Sequence, residues 1–150
     1  MICTQREEVM HRFLGLVLAL LAAAFLAPAA GPARAEEPAD SIQAVIVSQL
    51  DALQANDPAA AFAHASPTIQ SKFGTPEVFR SMVETGYPVI WRPARYEMLA
   101  LAETAAGPVQ TVLFQDREGR LFEAAYEMQL IDGAWRINGV YLHALPGVGS

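Results

Sequence analysis

Most side chains able to do chemistry in this sequence are placed where chemistry is hard to assemble. His64 and His143 are the only histidines after residue 35, and they stand far apart. A metal site wants ligands at helical or hairpin spacing, and none is so spaced. Cys3 is the single cysteine. No metal site and no cofactor is therefore expected. Proton transfer of the isomerase type needs a carboxylate base beside an acid donor in an apolar pocket. Glu97, Glu103, Glu123 and Glu127 lie in strand-like segments. Alternation puts Glu123 and Glu127 on the face away from Tyr126, and Glu97 and Glu103 away from Tyr96 and Met98. They read as solvated charges. Gly107, Gly119 and Gly133 each stand alone in turns, so no phosphate-cradling loop is present, and no G-x-S-x-G elbow occurs. No catalytic residue is assigned.

The aromatic residues suggest more. Tyr96, Met98, Tyr126, Trp135 and Tyr141 are the candidate walls of an apolar ligand pocket whose phenols supply hydrogen bonds. The favoured alternative is that the same residues simply fill a plain core, as aromatics on one strand face usually do. Tyr87, Trp91 and Arg92 lie in a segment with two prolines, Pro88 and Pro93. They are the candidate rim, with Arg92 suited to a carboxylate. The alternative is a rigid crossover whose aromatics pack the end of the domain.

The elements that must position these residues fall into two blocks. Residues 36–40 read as a short exposed leader, with Asp40 or Ser41 capping a helix. Ile42, Val45, Ile46, Leu50 and Leu53 form one helical stripe that ends near Asn56. Asp57-Pro58, Ser66-Pro67 and Thr75-Pro76 are each a capping residue followed by proline. Proline suits the first helical position because the hydrogen it lacks has no partner there. Short helices are expected over 58–64, 67–73 and 76–85. Residues 87–93 are expected to be extended, because a proline biases its predecessor away from helix. Strands follow at 95–103, 109–115, 121–131 and 134–142, punctuated by Gly107-Pro108, Gly119 and Asp132-Gly133. Helices first and antiparallel strands afterwards make an α+β domain, with the helices packed on a curved sheet of about four strands.

Asp132-Gly133 suits a tight two-residue hairpin, since both positions tolerate positive φ. The register that follows sets Leu130 against Trp135, Met128 against Ile137, Tyr126 against Gly139 and Ala124 against Tyr141. The other face sets Gln129 against Arg136 and Glu127 against Asn138. Gly139 serves either as bare backbone under the Tyr126 ring or as a bulge.

Residues 13–27 form an uncharged apolar run after Arg12, and Ala33-Arg34-Ala35 follows. Basic flank, apolar run and small-residue site are the pattern of a secretory signal peptide. The run is shorter than the roughly 20 residues of a membrane span. The expected organisation is a signal peptide over 1–35, cleaved after Ala35, and one domain over 36–150. Translation starts at Met1 or at Met10. The product would be periplasmic or secreted. It keeps seven Lys and Arg against fourteen Asp and Glu, a net charge of −7. An acidic surface without a basic cluster fits neither nucleic acid nor an anionic membrane.

Several ordered strings are distinctive: Ile42-Gln43-Ala44-Val45-Ile46, Ala65-Ser66-Pro67-Thr68-Ile69-Gln70, Gly86-Tyr87-Pro88-Val89, Tyr126-Glu127-Met128-Gln129, and Asp132-Gly133-Ala134-Trp135-Arg136-Ile137-Asn138-Gly139. Together they resemble domain-of-unknown-function family 4864 (DUF4864), small bacterial proteins that are often exported. The resemblance spans nearly the whole of 36–150. It implies a nuclear-transport-factor-2-like, cystatin-like fold and supplies no catalytic residues. The family pattern often has a cysteine where this chain has Val140, so no thiol role carries over. The reading is an exported binding module for a small apolar ligand or a protein partner, as a homodimer through its sheet. The alternative is an isomerase, dehydratase or cyclase that uses the pocket, and a third reading is an inhibitor-like scaffold.

Overall fold

The structure, a computed structural model, describes residues 37–147. The expected signal peptide and its cleavage site lie outside the described residues. Helices come first: α1 (Pro38–Gln54), α2 (Pro58–Ala63), α3 (Pro67–Phe73), α4 (Pro76–Gly86) and α5 (Pro88–Trp91). Then come β1 (Arg95–Thr104), β2 (Gly107–Gln115), β3 (Leu121–Ile131) and β4 (Ala134–Ala144). The strands form one antiparallel sheet in the order β1-β2-β3-β4. The chain is thus an α+β domain, as its element order implies.

Every helix among the described residues opens with proline in its first turn. Three have the expected side-chain cap. Asp57 accepts from the Ala60 N–H, Ser66 from Ile69 and Thr75 from Val78. Two starts differ from expectation. Helix α1 begins at Pro38, inside the stretch expected to be an exposed leader, with Glu37 as an uncapped N-cap. Residues 87–93 are not extended throughout, because Pro88–Trp91 makes the single turn of α5. Pro88 restrains Tyr87 to a non-helical φ of −135° but pre-sets its own φ for the turn that follows.

The core lies between the helices and one face of the sheet. Ile42, Ile46, Leu50 and Leu53 of α1, Phe79 and Val83 of α4, and all of Val89, Ile90 and Trp91 are buried there. The sheet contributes Val112, Phe114, Ala124, Tyr126, Met128 and Ile137. Burial in β2 and β3 alternates, with Gln110, Val112 and Phe114 in one row and Ala124, Tyr126 and Met128 in the next. Phe62 and Phe79 meet in a tilted arrangement with ring centroids 5.3 Å apart, and Phe73 meets Phe79 edge-on at 5.9 Å.

The last hairpin corrects the expected register. Asp132 (φ 50°) and Gly133 (φ 77°) make the anticipated turn. Leu130 faces Trp135, Gln129 faces Arg136 and Met128 faces Ile137 as the turn dictates. The ladder then slips. Glu127 faces Gly139 instead of Asn138, Tyr126 faces Val140 instead of Gly139, and Ala124 faces Leu142 instead of Tyr141. Asn138 has no counterpart on β3, so it is the extra residue of a bulge. A slip of one residue exchanges the faces of everything beyond it. Val140 and Leu142 therefore pack against the core. Tyr141 turns to the other face, opposite Ala125, and is 61 % exposed.

A second bulge lies in β1, where the register shifts between Met98 and Leu101. Fully buried Gln110 sits beside it and donates its amide hydrogens to the carbonyls of Leu99 (3.0 Å), Ala100 (3.4 Å) and Thr111 (2.9 Å). Its Oε1 accepts from Gln43 of α1 at 3.4 Å. A polar side chain at a core position is thereby satisfied, and it ties α1 to the sheet.

Candidate functional site

Beta-strand β4 is an edge strand, and the α2–α3 junction covers its bulge. The Ser66 N–H donates to the Ile137 carbonyl at 2.8 Å, and the Ile137 N–H donates to the His64 carbonyl at 2.9 Å. The Ser66 hydroxyl donates to Asn138 Oδ1 at 2.8 Å. Arg136 donates to the Ala63 carbonyl at the end of α2. His64 sits next to that cation. Burial lowers its pKa from 6.5, and the Arg136 charge lowers it further. Arg136 is the cation that lies against this helix C-terminus.

Beyond the bulge, β4 and the helices separate to leave a cleft of about 300 Å³. Leu53 of α1, Ile69 and Phe73 of α3, and Phe79, Met82 and Val83 of α4 form most of its apolar wall. Tyr87 and Ile90 close one side, and Tyr126 with residues 137–141 forms the sheet side. Gln49 lines it too, but its amide is committed to the Ala61 carbonyl at 3.2 Å. Tyr87 donates its phenol to the Val140 carbonyl at 3.3 Å, pinning the α4–α5 junction to β4.

Two groups in the lining stand out chemically. Tyr126 is completely buried, and no protein atom partners its hydroxyl. Burial, and after it the neighbouring Tyr96, pushes its pKa far above the ordinary phenol value of 10.0, so the group is a neutral donor and acceptor. Lys72 is the only lysine of the chain. It is exposed at the cleft, with Nζ 5.6 Å from the centre of the Phe73 ring.

The residues anticipated from the sequence divide accordingly. Tyr126 and Tyr87 line the cleft. Tyr141 also borders it, but from the outer face, where the bulge places its ring. Tyr96, Met98 and Trp135 pack against the core and are not part of this cleft. Tyr96 lies 6.0 Å from the Phe114 ring, and burial raises its phenol, with Asp51 adding to the effect. Trp91 is no rim residue: it is 6 % exposed, because α5 turns it inward. Arg80 and Arg92 place their guanidiniums 5.6 and 6.0 Å from its ring. Arg92 is exposed, stacks there and does not line the cleft. Lys72, Phe73, Phe79, Met82 and Val83 were not anticipated. A lone lysine at the penultimate position of a short helix, next to phenylalanine, was the available signal. Among the described residues no cluster of three or more His, Cys, Asp or Glu could hold a metal, and no helix is long and apolar enough to cross a membrane.

The family model described as "Domain of unknown function (DUF4864)" matches residues 35–149. The chain belongs to the DUF4864 family. No curated relative matches it. The match covers the whole domain just described, so in this DUF4864 protein the cleft, the bulge and the α2–α3 clasp are parts of the family domain.

Proposed function

We propose that this DUF4864 domain is an exported, non-catalytic binding module for a small and largely apolar molecule, held between α3, α4 and β4. The observation that carries the reading is the cleft of about 300 Å³ with largely apolar walls from α3, α4 and β4. That volume is at the small end of ligand sites, which run from roughly 300 to 1,000 Å³. Apolar walls with few polar groups are the usual makeup of such sites. A buried hydroxyl without a partner costs about 1–3 kcal/mol, and such groups call for an explanation. The Tyr126 hydroxyl has no accessible surface and lies near Tyr96, so it gives the cleft wall its ring and not a donor. The walls contain no Asp, Glu or His, which supports binding over isomerase-type proton transfer.

The test compares the protein with an Ile69→Trp variant, whose larger ring narrows the cleft from α3. Thermal unfolding is followed with a panel of small apolar compounds. The expected result is a set of compounds that raise the Tm of the parent and leave the variant unmoved, since only binding to the folded state stabilises it. No compound raising the Tm, or equal shifts in both proteins, would end the reading. Export is checked by intact mass of the product in the producing cell, which is expected to begin at Glu36.

A homodimer through the outer sheet face is a second reading. It is favoured by Tyr141, 61 % exposed on that face beside Ala125. Sedimentation showing only monomer at high concentration would remove it.

A further inference from the structure

The cleft carries a charge opposite to that of the protein around it. The domain is acidic overall, yet no carboxylate lines the cleft, and Lys72 is the one formally charged residue on its walls. Other cations nearby are engaged. Arg80 pairs with Glu84 at 3.4 Å and stacks on Trp91. Arg136 bonds the Ala63 carbonyl. Among the described residues Lys72 has no ion-pair partner; its ammonium stands over Phe73. The lysine stem and the Phe73 ring make an apolar approach to a charged head, an arrangement that leaves the head in water until an anion arrives.

We propose that the cleft takes a small apolar carboxylate, with the acid group against the Lys72 ammonium at the mouth and the hydrocarbon part between Phe73, Phe79, Met82 and Val83. The proposal rests on the cleft being a ligand site and adds the class of ligand. Lysine acts here as a point charge on a flexible stem, suited to an acid held at the solvent boundary. A cationic ligand is disfavoured by the same charge. No carboxylate on the walls would pair with it.

The test is isothermal titration of the protein with octanoate, octan-1-ol and octyltrimethylammonium, each below its aggregation limit. Octanoate is expected to bind more tightly than the alcohol, and the cation more weakly. Lys72→Met is expected to weaken octanoate roughly fivefold, the scale of one exposed ion pair, and to leave octan-1-ol unchanged. Lys72→Arg is expected to retain octanoate affinity. Lys72 is exposed, so these variants fold. Equal affinity for acid and alcohol, or an equal effect of Lys72→Met on both, would overturn the carboxylate assignment. Cleft-directed binding of uncharged compounds with no preference for acids would overturn it while leaving the binding reading intact. If no compound of any charge binds, both fall together.

Discussion

Ser66 donates its hydroxyl hydrogen to Asn138 at 2.8 Å, joining residues 72 positions apart. Asn138 is the residue that β4 has in excess of β3. This bond therefore secures the bulge that puts Val140 opposite Tyr126 and turns Tyr141 outward. Ser66 is fully buried and also caps α3 through the Ile69 N–H. Ser66→Ala removes a cap and leaves Asn138 Oδ1 without this donor. A loss of about 1–2 kcal/mol in urea unfolding is expected. An unchanged midpoint would mean that the backbone bonds between the junction and Ile137 hold the bulge alone.

Tyr126 offers a test that separates stability from binding. Its hydroxyl is buried and unpartnered, so Tyr126→Phe removes a desolvated polar group without opening a cavity. Stability is expected to hold or to rise by about 1 kcal/mol, while affinity for a cleft ligand holds, since the hydroxyl has no accessible surface there. A variant less stable by that amount would show that the hydroxyl is bonded within the folded protein.

Gln110 is the opposite case, a buried amide with its hydrogens engaged. Gln110→Met keeps the approximate shape and strips partners from the Leu99 and Ala100 carbonyls at the β1 bulge. A loss of about 2 kcal/mol is expected. Faster hydrogen exchange should appear first in β1 and the facing part of β2. Uniform exchange across the sheet would contradict a local role for this side chain.

Most of the architecture was legible in the sequence because its signals are local. Proline after Asp57, Ser66 and Thr75 marks three helix starts by steric and hydrogen-bonding rules that need no tertiary partner. Asp132-Gly133 likewise fixes the turn and the first pairs of the hairpin. Pro38 and Pro88 obey the same rule. They were not read so because Glu37 and Tyr87 do not cap by side chain. The bulge was only half legible. Gly139 hinted at it, but the extra residue is Asn138, selected by a serine 72 positions away. The candidate site depended on that long-range choice. One residue of slip moved Tyr141 off the core face, and the turn of α5 took Trp91 into the core. The cleft walls on α3 and α4 could not be read, since helical apolar residues look alike whether they meet the sheet or line a gap.

Acid sensitivity at the α2–β4 clasp has a definite sign. Burial, then Arg136, holds the His64 pKa below 6.5, so the unfolded chain takes the proton first as pH falls. The stabilisation from neutral His64 is complete above about pH 6.5 and is lost as pH falls through the lower folded value. Unfolding midpoints of the parent and His64→Gln are expected to diverge between those values and to run parallel above them. Curves parallel through the whole range would show that His64 titrates alike in both states.

The central claim is that the cleft between α3, α4 and β4 receives a ligand. Methyl-resolved NMR during titration with octanoate tests it most directly. The account expects saturable shifts concentrated on Leu53, Ile69, Val83, Ile90 and Val140, with Ile42 and Val112 of the core unmoved. Shifts that do not saturate, or that fall on the outer sheet face around Ala125 and Leu113, would contradict it.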